Sequence, residues 1–493
     1  MNVADLLARQ AVKMPHATAV IQAERILSFA EFDALVWGLC RCFRENGLLV
    51  GDVVGVHVQN PLLHLATILA LARSGMVSVA ISTLGSDGQA SRNILLRAAV
   101  SAVIDDAGSL NWGCQKQINL DPVHALNLQG EHDESLRVDL PNARMMLRTS
   151  SGTTGLPKIV EATHASMIAS IRREIACIGY PVGERYLTPV ALQFDGPRRR
   201  YLSCLASGAT AVMPSGVPSF TSLFALIDQH DIRHFSCVPS QAYQMALSVP
   251  PGKQRFPQMR CFRLSAGPSE AQLHQFLRER LTPNICISYG CTELGPLTVA
   301  KPDLVTSKPQ SVGYAMPGIE LEIVSANDDP VPAGAVGIVR LRTEGMPAGY
   351  LGDPAATEKY FRNGWFYPGD LGSIAEDGLV FHLGRADDMM IMNGVNIYPA
   401  EIEQAMMSHP AVVDAVAMPL KHKVVNDIPV CVLALGAGQA LSEQELLVFA
   451  RRRLESHSPK RIFVLDEIPR NEHGKVKRPE LIQTIVSRLQ AET

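Results

Sequence analysis

The sequence predicts an α/β fold of layered sheets, with a large N-terminal domain of several subdomains and a smaller, mobile α+β C-terminal domain. Three observations predict it. Short apolar runs alternate with helical periodicities over about the first 320 residues, the mark of strands buried between helices. Period-two strands bounded by Gly and Pro follow, and then a compact unit with helices and strands of its own. At 493 residues the chain also exceeds what one hydrophobic core organises.

Taken in order, residues 1–15 place Asp5, Arg9 and Lys13 among apolar residues at helical spacing, without the uninterrupted apolar core of a signal peptide. A strand is expected over 53–56, a helix over 62–73, a strand over 76–81, a helix over 90–99 and a strand over 102–104. The apolar run 145–147 reads as a strand that delivers the loop after it. Alternation resumes with strand 209–213, helix 219–230, strand 232–238, helix 269–280 and strand 285–287. Such alternation gives two α/β layered sheets, with ligands at the strand ends. Residues 319–324 and 336–341 alternate with period two and form a small β-rich subdomain. In the last unit, 442–455 is the clearest helix: Leu446, Leu447, Ala450 and Leu454 share a face, and Ser442 with Glu445 makes a capping box. The expected division is 1–384, a hinge at 385–388, and 389–493.

Composition narrows the function. Hydrophobic content is 47% and charged content 19%, ordinary for a globular protein. A net charge of −3 offers no basic surface for nucleic acid. No run of eighteen apolar residues suggests a membrane span. Ten cysteines without C-x-x-C spacing fit reduced thiols in a cytoplasm.

The most informative stretch is Thr149-Ser150-Ser151-Gly152-Thr153-Thr154-Gly155-Leu156-Pro157-Lys158. Its hydroxyls and backbone N–H groups suit phosphate oxygens, and Lys158 adds a compact positive charge. It is not a Walker A loop. Five further motifs follow. Ser265-Ala266-Gly267-Pro268 is a small-residue edge against which a flat base can lie, and Tyr289-Gly290-Cys291-Thr292-Glu293 offers an aromatic face, a hydroxyl and a carboxylate suited to Mg²⁺. Asp370, in Tyr367-Pro368-Gly369-Asp370, suits the two hydroxyls of a ribose, while standing alone it equally suits a solvated turn. Gly384-Arg385-Ala386-Asp387-Asp388 leads to Asn393-Gly394-Val395, and Glu472-His473-Gly474-Lys475 puts a lysine on a glycine turn. Pro479 suits the start of a last helix.

These six motifs, in this order and at these separations, resemble the adenylate-forming enzymes: acyl- and aryl-CoA synthetases, carrier-loading adenylation domains and beetle luciferases. The resemblance runs nearly the whole length. It implies an AMP-forming acid–thiol ligase that turns a carboxylic acid and ATP into an acyl-adenylate and pyrophosphate, then passes the acyl group to a thiol. It implies that residues 149–158 embrace the β- and γ-phosphates, that Gly267, Pro268, Tyr289 and Gly290 border adenine, and that Thr292 meets the α-phosphate. Glu293 would hold Mg²⁺, Asp370 the ribose, and Arg385 would lie near the nucleotide. Asp387 matches the hinge residue about which the C-terminal domain rotates between half-reactions. Lys475 matches the lysine bridging the acid and the α-phosphate.

Ile391 stands where carrier-loading domains usually have lysine, which looks more like the CoA synthetases; Gly394 and Val395 would then line a pantetheine tunnel. A freestanding enzyme that loads a carrier protein is the alternative. Three positions depart from the family: Pro368 replaces a threonine, Ile338 a common glutamate, and Gln193 or Phe194 a histidine of many CoA ligases. The first and last leave open a catalytically silent relative. Phe194, Cys237, Val238, Ala266, Gly290 and Pro296 are the expected acyl-pocket walls. Arg198, Arg199 and Arg200 cover about 200° of a helix. They read either as a solvated or phosphate-facing helix start or as an inward arginine for a second substrate carboxylate or a CoA phosphate.

Overall fold

Strands such as Val53–His57, buried at every residue, form where a sheet is covered on both faces. The computed structural model describes every residue except 82–88, 109–110, 115, 151–156, 268, 389, 393–394, 423–425, 437, 471–475 and 492–493. One six-stranded sheet runs in the order Lys116–Asn119, Ala102–Asp105, Val53–His57, Val77–Ala80, Arg144–Ser150, Lys158–Thr163. Its first five strands are parallel and the last pair is an antiparallel hairpin in which Ser150 faces Lys158. That hairpin fixes both ends of the expected phosphate loop. The helix expected over 62–73 is Pro61–Arg73, capped by Asn60 and buried from Leu62 onward.

The second sheet has seven strands, in the order Ile285–Ser288, Cys261–Ser265, His234–Cys237, Arg185–Leu187, Thr210–Val212, Thr18–Gln22, Arg25–Ser28. All but the last are parallel. Phe235, Cys237, Phe262, Leu264, Ile285 and Ile287 fill an apolar core on one face. The alternate residues His234, Ser236, Arg263 and Ser288 are polar yet equally buried. Alternation of this kind normally marks a solvated face. Here the helices His164–Ile178 and Asp195–Ala206 cover it and answer with Glu174 and Arg200.

The β-rich part is a six-stranded sheet in which Ile319–Val324 pairs with Gly337–Thr343, and Asp370–Ile374 with Val380–Arg385. Asp370 thereby lies directly opposite Arg385. Residues from Met390 on build a five-stranded sheet with two apolar clusters of their own. The capping box of Ser442 and Glu445 starts the helix Glu443–Leu454 as expected. The last helix begins at Arg478, one residue before Pro479. No helix among the described residues is long and apolar enough to cross a membrane.

Candidate active site

The carboxyl ends of the parallel strands Cys261–Ser265 and Ile285–Ser288 stand level, with Ser265 opposite Ser288. The chain leaves the first through Ala266, at a φ of 67°, into Gly267, and the second into Tyr289. Gly290 then pairs with Pro296 across a two-residue ladder. A Cβ at 290 would lie 2.5 Å from the Gly295 carbonyl oxygen, so the close approach requires glycine. The loop so closed carries Thr292 and the buried Glu293.

Glu293 is held from two sides. Tyr350 donates its hydroxyl to Glu293 Oε1 at 2.7 Å. The ammonium of Lys158, at the end of the expected phosphate loop, lies 5.1 Å from the Tyr350 ring centroid and 3.7 Å from that of Tyr360. Arg148, just before that loop, donates to the carbonyls of Thr292 and Glu293 at 3.3 and 3.4 Å and pairs with Asp195 at 3.2 Å. Asp195 also pairs with Arg199. Burial pushes the Asp195 carboxyl up, but Arg148, Arg199 and Arg198 outweigh it and bring it down to about 2. One buried charge network thus ties together the strand entering the expected phosphate loop, the Tyr289–Glu293 motif and the helix after Phe194.

A second cluster surrounds Asp370. Tyr289 donates its hydroxyl to Asp370 Oδ2 at 2.5 Å, Arg385 donates to Oδ1 at 3.1 Å, and His382 lies 3.7 Å away. The His382 and Tyr289 rings stand 4.9 Å apart. Burial raises the Asp370 carboxyl, while His382, Arg385 and Tyr289 hold it below the usual carboxylate range overall, so it stays ionised as an acceptor. Gly369, at a φ of 81°, leaves room for the Arg385 guanidinium, which a Cβ would approach to 2.9 Å. Pro368 lacks the family's hydroxyl, but its carbonyl accepts from Arg385. These groups fit a nucleotide: an aromatic face, an ionised carboxylate for vicinal hydroxyls, and a cation for phosphate. No cluster of three or more His, Cys, Asp or Glu among the described residues could cage a metal. A single carboxylate such as Glu293 suits Mg²⁺, which is usually bound by one or two carboxylates with phosphate oxygens and water.

Phe194 precedes the helix Asp195–Ala206 as its N-cap, and Val238 precedes Pro239–Leu247 in the same way. Cys237 packs into the apolar core with Phe235, on the opposite face of its strand from Ser236. Burial, reinforced by Glu293, pushes the Cys291 thiol well above its usual range, which makes it a poor nucleophile. All three arginines of the 198–200 run are buried, so a solvated helix start is corrected: Arg199 pairs with Asp195 and Glu174, Arg198 donates to the Phe194 carbonyl, and Arg200 donates to two serines of the polar sheet face. Ser151, Gly152, Thr153, Thr154, Gly155, Pro268, Gly394 and Lys475 lie outside the described residues, as do the side chains of Ser150, Asp387 and Val395. Thr149 is the penultimate residue of the strand entering the loop, Arg144–Ser150.

Sequence reasoning missed Tyr350, His382, Arg148 and Asp195. A signal existed for Tyr350, an aromatic in Gly349-Tyr350-Leu351-Gly352, and for Arg148, a charge directly after an apolar strand core.

A model of the AMP-binding enzyme family matches residues 7–351, and one of the AMP-binding enzyme C-terminal domain matches 401–475. The chain belongs to the AMP-binding enzyme family. It is 29% identical to a 2-succinylbenzoate–CoA ligase of Geobacillus kaustophilus, over 97% of both chains. It is 24% identical to 4-coumarate–CoA ligase 5 of Oryza sativa subsp. japonica, over 92% of this chain and 89% of that one. It shares its fold with o-succinylbenzoate CoA synthetase from Bacillus subtilis in complex with an acyl-adenylate intermediate, at a TM-score of 0.84 and 24% identity over 97% of each chain. The resemblance read from the motifs, the layered α/β architecture and the assignment of this AMP-binding enzyme as an AMP-forming acid–thiol ligase are borne out.

Proposed function

We propose that the Glu293–Tyr350–Lys158 and Asp370 clusters form one nucleotide site, in which a carboxylic acid attacks the α-phosphate of ATP to give an acyl-adenylate and pyrophosphate. CoA thiol then attacks the acyl carbonyl and releases AMP. The observation that carries this assignment is the placement of Lys158 and Glu293 on one tyrosine, although 135 positions separate them in sequence (293 − 158 = 135). A carboxylate approaching a polyphosphate must overcome like-charge repulsion, and further negative charge gathers on the leaving pyrophosphate. Lys158 and the hydroxyl-rich loop 149–158 hold the phosphates, Asp370 accepts the ribose hydroxyls, Tyr289 and Gly267 border the base, and Thr292 meets the α-phosphate. Glu293 would hold Mg²⁺, which when bound would supply neutralisation of phosphate charge. Lys475 bridges the acid and the α-phosphate. Positioning and fixed charge suffice, so no side-chain nucleophile enters.

Residues 389–493 act as a domain that turns about Asp387 to exchange Lys475 for a pantetheine channel near Gly394 and Val395. Their separate apolar clusters support that division. Coenzyme A is the acceptor we favour, on Ile391 and on the CoA ligases among the relatives. The ten cysteines, all free, support a cytoplasmic site of action.

ATP–pyrophosphate exchange with a panel of acids, and AMP release with and without CoA, test this function. Lys475→Ala should slow exchange about 10²- to 10³-fold yet leave thiol transfer from a supplied acyl-adenylate largely intact. Absence of exchange with every acid would leave a silent nucleotide-binding relative. AMP release that depends on a carrier protein in place of CoA would point to the carrier-loading alternative.

A further inference from the structure

Six arginines, Arg148, Arg173, Arg198, Arg199, Arg200 and Arg263, are buried within one neighbourhood around the helices His164–Ile178 and Asp195–Ala206. The carboxylates among them are Glu174, Asp195 and Glu293. Arg148 and Arg199 pair with Asp195, and Arg199 and Arg263 with Glu174, whose carboxylate also accepts from Tyr180. Arg173, Arg198 and Arg200 have no carboxylate within ion-pair distance among the described residues. Arg173 turns to the Thr343 hydroxyl and Arg198 to the Phe194 carbonyl.

Arg200 is placed differently. It donates to Ser236 Oγ at 3.1 Å and to Ser265 Oγ at 2.6 Å, and its buried Nε has no partner. Ser236 is the penultimate residue of its strand, and Ser265 is the last residue of the next, directly before Ala266 and Gly267. The guanidinium therefore lies at the carboxyl ends of two parallel strands, where open α/β sheets bind their ligands. Its helix starts at Phe194, an expected wall of the acyl pocket. It is 8% exposed, and both its acceptors are neutral hydroxyls. A guanidinium has five N–H donors in a planar fork suited to carboxylate. Glu174 feels the Arg200 charge from beyond ion-pair distance, but Arg263 and Arg199 already share that carboxylate. Burying a guanidinium with no counter-anion of its own is costly, and a neutral donor such as Gln would tie the two strand ends without that cost.

We propose that Arg200 is the counter-charge for a second carboxylate on the acid, so that the enzyme activates dicarboxylic acids, with one carboxyl directed to the α-phosphate and the other to Arg200. This subsite rests on the adenylation reading above and narrows its substrate class. Arg200 is a specificity residue that takes no part in bond making. Ser236, itself hydrogen-bonded to the Tyr186 hydroxyl at 2.6 Å, and Ser265 hold the fork in place until the anion arrives.

Matched acids test it in pyrophosphate exchange: pentanedioate against pentanoate, and 4-(2-carboxyphenyl)butanoate against 4-phenylbutanoate. The wild-type enzyme should favour the diacid of at least one pair by about 10- to 100-fold in kcat/KM, the range for a charge-assisted contact. Arg200→Leu should bring that ratio to about one through a raised KM for the diacid, and Arg200→Lys should restore part of it. The wild-type ratio is readable without any variant. A wild-type enzyme indifferent to the second carboxylate, or Arg200→Leu slowing both members of a pair equally, would overturn the subsite. So would a change confined to the KM for CoA. Exchange with monoacids alone sinks the subsite and leaves adenylation standing. No exchange with any acid sinks both.

Discussion

At the scale of single residues, Tyr350 joins Lys158 to Glu293 within the proposed nucleotide site. Its hydroxyl is the donor that orients Glu293, and hydrogen bonds to charged groups contribute about 1.5–3 kcal/mol. Tyr350→Phe should therefore lower kcat/KM for ATP roughly 10- to 100-fold, with a raised Mg²⁺ requirement, read by titrating Mg²⁺ in the exchange assay. Arg148 is a structural counterpart. Arg148→Met removes one of the two ion-pair partners of Asp195 and should cost about 3 kcal/mol, the lower end for breaking a buried pair, since Arg199 stays. Urea denaturation measures it. The Asp195 carboxyl is depressed from its ordinary value to about 2 in the fold. Its contribution to stability is thus fully present above about pH 4 and is lost as pH falls toward 2. Asp195→Asn should flatten the acid limb of the stability curve.

At the scale of elements, the hairpin at Gly290 is the least forgiving piece of the site. Gly290→Ala sets a methyl group 2.5 Å from the Gly295 carbonyl oxygen. Overpacking of this kind costs about 1–3 kcal/mol, so a lower thermal midpoint should accompany slower exchange as the Thr292–Glu293 loop shifts. Much of this level was legible in the sequence. The period-two run 319–324 is the strand Ile319–Val324, and Ser442 with Glu445 forms the expected box. Helices Phe29–Glu45 and His164–Ile178 went unassigned. The first starts at a Ser28–Glu31 capping box directly after a strand, with no Gly or Pro between them to mark the change. The long-range partners were illegible for a different reason. Arg148 with Asp195 and Glu293 with Tyr350 lie 47 and 57 positions apart (195 − 148 and 350 − 293), and no local periodicity encodes such pairings. The arginine run misled because charge usually means water, whereas here buried carboxylates, a helix-start carbonyl and two serines of the sheet face accept it.

At the scale of the whole molecule, two buried carboxyls at the junction between the proposed parts, 1–384 and 389–493, are expected to make it respond to pH. Glu270, before the helix Ala271–Arg280, and Glu403, in the helix Pro399–Met407, are both pushed up to about 7, chiefly by burial. Gln404 hydrogen-bonds Glu270 and lowers it somewhat. Glu403 accepts from the Ala417 amide and feels Arg478, which lower it, and Glu270 and Asp388, which raise it. Both folded values lie above the unfolded ones, so the stabilisation is complete below about pH 4.5 and is lost as pH rises through 7. Small-angle scattering and limited proteolysis should therefore find the two parts looser at pH 8 than at pH 5.5, with Glu403→Gln reducing the difference. Asp388, which pairs with Arg478 at 3.0 Å, keeps a second tie at the junction.

The ammonium of Lys158 resting on two phenol rings has an optical corollary. Attraction between a cation and an aromatic face amounts to about 0.5–2 kcal/mol, less than an incoming triphosphate offers. Nucleotide will lift the charge away from Tyr350 and Tyr360, and their near-ultraviolet absorption will change as it leaves. Occupancy can then be followed by difference spectroscopy on unlabelled enzyme, before any acid is added.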